Sequence, residues 1–183
     1  MRLEIPYGEG KELVELPDES IEEIVYPKDV PTPDKATVVL NAVRNPIMSK
    51  PLRNFLEGGK EILVIVNDAT RPTPSGKIIK TIWKKLEGRN VKYLVANGMH
   101  REPTEEEYKY IFGEMWEKVK RNVHSHDSKA SEMVMLGVSK NGTVLKLNKL
   151  VADADRIIPI SSVEPHYFAG YTGGRKSFLP GVS

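Results

Sequence analysis

Residues 58–88, GGKEILVIVNDATRPTPSGKIIKTIWKKLEG, decide the fold. Ile62 to Val66 form a short unbroken apolar run, the pattern of a strand covered on both faces. A polar loop begins at Asn67. Then Ile78, Ile79, Ile82, Trp83 and Leu86 recur at helical spacing until Gly88 ends the segment. The same order follows at once: an apolar run in VKYLVANGMHREPT (91–104), a polar loop, and the helical pattern TEEEYKYIFGEMWEKV (104–119). Thr104 and Glu107 give that helix a capping box. MVMLGVS (133–139) and RIIPISSVEPH (156–166) supply a third and a fourth strand. Buried strands alternating with helices imply an α/β domain with a mainly parallel sheet flanked by helices.

Upstream, LEIPYGEGKELVELP (3–17) alternates apolar and polar residues about Gly8-Glu9-Gly10, which predicts an N-terminal β-hairpin. Pro27, Pro31 and Pro33 mark a connector, and Pro46 follows a short helical run. Residues 1–30 thus read as hairpin and connector, and the 183 residues together as one domain. Hydrophobic residues make up 39% of the chain and charged residues 28%, the balance of a folded rather than a disordered protein. No apolar run approaches the roughly 18 residues of a membrane span, and MRLEIPYGEG has no signal-peptide core. A cytoplasmic location is expected, with no membrane partner. A net charge of +2 suits a small anionic ligand better than nucleic acid. Without cysteine the chain offers no thiolate ligand, so a soft metal would need sulfur from elsewhere.

The polar clusters NDATRP, NGMHRE and EPHYFAGYTGGRK each follow a predicted strand. Ligands of open α/β sheets bind along that carboxyl edge, so three distant loops can face one crevice. Arg71 can clamp a carboxylate or phosphate, and Asp68 can accept hydroxyl hydrogen bonds. The plainer alternative has Asp68 or Thr70 capping the next helix and Arg71 paired with Asp68. His100 is a natural acid–base group, or simply a surface histidine. His124 and His126 would point the same way on an extended segment and could bind a metal, though no third ligand is evident. Gly170 to Ser177, with Gly173, Gly174 and Lys176, resembles a phosphate-cradling loop. It departs from a nucleotide-hydrolase loop because Arg175 stands where glycine should precede the lysine. The chain stops soon after this segment, VEPHYFAGYTGGRKSFLPGVS (163–183), which suggests a fragment of a longer protein.

Taken in order, NDATRP, NGMHR, the HSHD segment and EPHYFAGYTGGRKSFLPG resemble the N-terminal domain of the lactate racemase family, from about Gly58 onward. The resemblance implies one domain of a two-domain racemase or epimerase of 2-hydroxy acids. Its cofactor would be a nickel-pincer nucleotide, a pyridinium mononucleotide whose sulfur groups hold nickel. By the same resemblance His100 and His166 match the acid–base pair, and Lys176 the residue joined to the cofactor through a thioamide. Arg71 matches the substrate-carboxylate arginine and Asp68 a cofactor-contacting acid, with Gly173 and Gly174 in the cofactor loop. The family's nickel-ligating histidine lies beyond the lysine loop, so no metal ligand is assigned in this chain, and the family's C-terminal domain lies outside it too. Such chemistry removes the α-hydrogen as hydride to the pyridinium while a histidine takes the hydroxyl proton, which avoids a carbanion. The alternative is a non-catalytic phosphate- or nucleotide-binding α/β domain, for which the glycine-rich loop alone would suffice.

Overall fold

The computed structural model describes residues 1–183 other than Glu9, Pro27, Thr32, Tyr167 and Phe168. The chain forms two compact units, Met1–Thr32 and Pro33–Ser183. In the first, β1 (Arg2–Tyr7) and β2 (Gly10–Glu15) pair antiparallel from Arg2 opposite Glu15 to Tyr7 opposite Gly10. This is the expected hairpin; Glu9 of its turn and Pro27 of the expected connector lie outside the described residues.

The second unit runs α1 (Lys35–Arg44), α2 (Leu52–Phe55), β3 (Glu61–Asn67), α3 (Ser75–Leu86), β4 (Asn90–Ala96), α4 (Glu105–Phe112) and α5 (Trp116–Val119). It continues through β5 (Val123–Ser125), β6 (Met133–Val138), β7 (Val144–Asn148), α6 (Lys149–Asp153) and β8 (Arg156–Ile160) to the short β9 (Pro165–His166) and β10 (Gly170–Tyr171). Its main sheet has the order β5-β4-β3-β8, and every pairing is parallel.

The apolar run predicted to be covered on both faces is so covered. Ile62, Val64 and Val66 pack on one side with Ile79, Ile82 and Leu86 of α3 and Ile111 and Phe112 at the end of α4. Leu63, Ile65 and Leu94 face the other way, against Leu147, Val151, Phe178 and Val182. The second cluster matters for function. Val182 is fully buried, and Phe178 packs beside it. Each buried side chain of this size contributes roughly 1.5–3 kcal/mol relative to exposure. The glycine-rich segment is therefore pinned by its own apolar residues beneath the sheet.

Two expectations are corrected. MVMLGVS is not a strand of the parallel sheet: β6 pairs antiparallel with β7 as a separate ribbon, with an irregularity between Met135 and Gly137. The turn at Asn141-Gly142 returns the chain locally, and that dipeptide is a strong hairpin signal. The fourth parallel strand is instead β5, which takes in His124. The helical pattern of 104–119 is also not one helix. The capping box at Thr104 and Glu107 forms as expected, but Gly113, at φ +52°, ends α4. A 3-10 turn and α5 follow. Gly113 takes a left-handed conformation that costs other residues more. No helix among the described residues is long and apolar enough to cross a membrane.

Candidate active site

Three loops leave the carboxyl ends of β3, β4 and β8 and meet. After β3, Asp68 is buried, and its Oδ1 accepts a hydrogen bond from the Thr70 hydroxyl at 2.6 Å. The other oxygen, Oδ2, lies 2.6 Å from Nδ1 of His100, which comes from the loop after β4. Neither Asp68 nor Thr70 caps α3; Pro74 occupies that position without a side-chain cap. Arg71 does not pair with Asp68, so the plainer sequence alternative is set aside. Among the described residues neither the Arg71 guanidinium nor the Lys176 ammonium has a side-chain hydrogen-bond or ion-pair partner.

After β8 the chain turns through β9 and β10, with His166 opposite Gly170. The buried Thr172 holds this turn closed. Its hydroxyl accepts from the Glu164 amide at 2.8 Å and donates to the Ser162 carbonyl at 3.1 Å. Gly173 then passes directly over Ser161 and Ser162 at φ +69°, where an added Cβ would collide with the Ser162 carbonyl oxygen and the Ser161 hydroxyl. No other residue fits there unstrained. The next turn, Gly174–Ser177, places Lys176 half-buried on the inner side, while Arg175 is exposed.

His100, His166, Arg71, Lys176 and Asp68 line one cavity of about 360 Å³, with Gly173 on its wall. Two cations act on His166. Burial first, then the charges of Lys176 and Arg71, holds the His166 imidazole below the ordinary histidine pKa. His166 is thus kept in its neutral, proton-accepting form to lower pH than a solvated histidine. A family model of the lactate racemase N-terminal domain matches residues 7–183.

The chain belongs to that family. It is 41% identical over 189 residues to the lactate racemase of Thermoanaerobacterium thermosaccharolyticum, covering 99% of this chain and 44% of that protein. It is 36% identical over 152 residues to the lactate racemase of Lactiplantibacillus plantarum, covering 79% of this chain and 35% of that one. The structure of the T. thermosaccharolyticum lactate racemase apoprotein matches at a TM-score of 0.81 and 39% identity, covering 100% of this chain and 44% of that chain. The chain thus spans less than half the length of these relatives.

Several contacts that build this domain escaped sequence reasoning. The lysine loop is tied to the loop after β4 by Gly98 N–H to the Gly181 carbonyl at 3.0 Å and to the end of β7 by Asn148 N–H to the Val182 carbonyl at 2.8 Å. His126 adds to this anchorage. It is 1% exposed, receives the Asn148 side-chain amide on Nδ1 at 3.2 Å, and lies with Nε2 3.3 Å from the Ser183 carbonyl. An acceptor Nδ1 leaves Nε2 as the donor, so both nitrogens are engaged in structure. Burial lowers the His126 pKa in keeping with a neutral ring, against the opposing influence of the Ser183 carbonyl and Asp127. His124 is exposed on β5 whereas His126, two residues on, is buried, so the two histidines sit in different surroundings. No cluster of three metal-binding side chains occurs among the described residues. The lysine loop also opens no α-helix, only a 3-10 turn, unlike the phosphate loop of a nucleotide hydrolase.

Part of the depression of the His166 pKa is electrostatic, so it is separable. Lys176→Gln should move the His166 titration upward, toward the ordinary value, while leaving His124, which is lowered by burial and Lys92, in place. Histidine proton NMR across the titration measures both in one sample. Equal movement of the two, or none of His166, would remove Lys176 as a cause.

Proposed function

We propose that this chain is the N-terminal catalytic and cofactor-binding domain, residues 1–183, of a racemase acting on a small 2-hydroxy acid. The observation that carries the reading is the meeting of two histidines and two cations at one cavity. A binding module for phosphate needs the cations but neither histidine. The relatives are named for lactate, and lactate is the substrate we propose first. The companion C-terminal domain of such an enzyme would complete the cleft, and a cytoplasmic setting remains part of the proposal.

The residues present fit the nickel-pincer nucleotide as cofactor. The cavity volume lies within the roughly 300–1,000 Å³ usual for small-molecule sites. Lys176 offers a half-buried amine, and Gly173 and Gly174 leave the loop surface bare of side chains beside it. Cysteine is absent from the chain, which suits a group that brings its own sulfur donors. Lys176 would hold the group covalently, with Gly173 and Gly174 against it. Asp68 borders the same cavity, with Thr70 and His100 each on one of its oxygens. When bound, the cofactor supplies a reversible hydride acceptor.

The chain's own residues supply the rest. Arg71 binds the substrate carboxylate through its planar fork, which fixes the hydroxyl-bearing carbon in place. His100 or His166 takes the hydroxyl proton as the adjacent C–H bond is broken, so no α-carbanion forms. Two bases are needed because the two enantiomers present their hydroxyls on opposite sides of the flat keto acid. The proposal is tested by giving cofactor-loaded, full-length protein either enantiomer of lactate and following the other by chiral chromatography. Both should converge on the racemate. Conversion of neither, with cofactor bound, would sink the activity.

A further inference from the structure

His100 is exposed at the end of a loop, and its imidazole makes one side-chain hydrogen bond, to a carboxylate 32 residues earlier. That carboxylate is the better fixed partner. The Asp68 side chain is 10% exposed, while the His100 side chain is 61% exposed. The Thr70 hydroxyl holds Asp68 Oδ1 at 2.6 Å, which leaves Oδ2 aimed at the ring. An ionised carboxylate only accepts hydrogen bonds, so the proton of the 2.6 Å contact belongs to Nδ1. In the neutral ring Nε2 then carries the lone pair.

We infer that Asp68 is a positioning residue: by holding Nδ1–H of His100 it fixes the ring's orientation and makes Nε2 the nitrogen that exchanges a proton with substrate. This rests on the racemase reading and adds to it a residue that touches no reacting atom. Thr70 acts one step further out, by orienting the carboxylate. His166 is built differently. Its Nδ1 receives the Ala169 amide at 3.4 Å, and the charges of Lys176 and Arg71 act on it.

Asp68→Asn tests the inference, because asparagine keeps the shape and can offer an amide N–H to Nδ1. That would favour the opposite tautomer, with the proton on Nε2, where a base needs its lone pair. Nitrogen-15 NMR of histidine-labelled full-length apoprotein distinguishes protonated from bare ring nitrogens, with His100→Gln assigning the signal. Wild type should show Nδ1–H for neutral His100, and Asp68→Asn should shift it toward Nε2–H with His166 unmoved. In loaded enzyme the same variant should lose roughly 10²- to 10⁴-fold in kcat, with KM within a few-fold. Asp68→Glu, which retains a carboxylate, should recover part of the loss. A wild-type His100 protonated on Nε2 overturns the inference, whatever the activity. So does an Asp68→Asn enzyme with unchanged kcat while His100→Ala and His166→Ala are inactive. Retained racemisation in both histidine variants would instead overturn the racemase reading, and the tautomer measurement would still stand on its own.

Discussion

Alanine at His166, in full-length enzyme loaded with cofactor, should stop racemisation in both directions, and alanine at His100 should do the same. Net conversion of either enantiomer uses one histidine as base and the other as acid, so losing one breaks the cycle whichever enantiomer is supplied. A positioned proton-transfer group contributes roughly 10²- to 10⁴-fold, and the expected loss is of that size. KM should change little, because Arg71 still holds the carboxylate. Added imidazole should restore part of the activity of each alanine variant, since truncation opens space at the cavity wall. Rescue separates proton transfer from a structural role, which free imidazole would not repair. Chiral chromatography measures the rates. An alanine variant within tenfold of wild type would remove that histidine from the mechanism. The pH profile carries a second sign. With Lys176 neutral in its linkage to the cofactor, burial and the Arg71 charge still lower the His166 pKa, so its base form persists to lower pH than an ordinary histidine's. The acid limb governed by His166 should accordingly lie below the usual histidine range.

The parallel strands were legible in the sequence because local pattern and global fold agree there. Ile62 to Val66 can be buried on both faces only inside a covered sheet, and the residues after it alternate as an α/β unit must. Legibility failed where a short segment has two possible partners. MVMLGVS is as apolar as a central strand, but β7 lies close in sequence and captures it. Val123 to Ser125 carries almost no strand signal and still joins the sheet through its pairing with β4. At the site, each loop was found from its place after a strand, while the contacts between loops were invisible. The meeting of Asp68 with His100 across 32 residues is set by the parallel register of β3 and β4, which puts Asn67 opposite Ala96 and both loops on one edge. The packing of half-buried Phe178 and buried Val182 under β3 likewise depends on a sheet face that no short pattern describes.

Lys176→Arg separates two ways in which a half-buried lysine can serve this cavity. As an electrostatic clamp it needs only a positive charge, and arginine keeps that charge with extra donors. As the covalent anchor of the cofactor it must give up its proton and bond through nitrogen as a neutral amine. The lysine side chain ends in a single amine nitrogen that can form such a bond, and it lines the cavity. Arginine is effectively always protonated and cannot form the same linkage. The expected result is therefore loss of covalent retention in Lys176→Arg, with activity largely lost or dependent on added cofactor. Intact-protein mass spectrometry of denatured, full-length samples reads the difference directly. Active wild type should carry mass beyond the polypeptide, and Lys176→Arg should show the bare chain. Arg175, exposed one residue earlier and turned out of the cavity lining, provides the control. Arg175→Lys should leave the added mass in place and should not rescue Lys176→Arg. A bare polypeptide mass from active wild-type enzyme would leave Lys176 a charge contact only, and the arginine variant would then be expected to lose little.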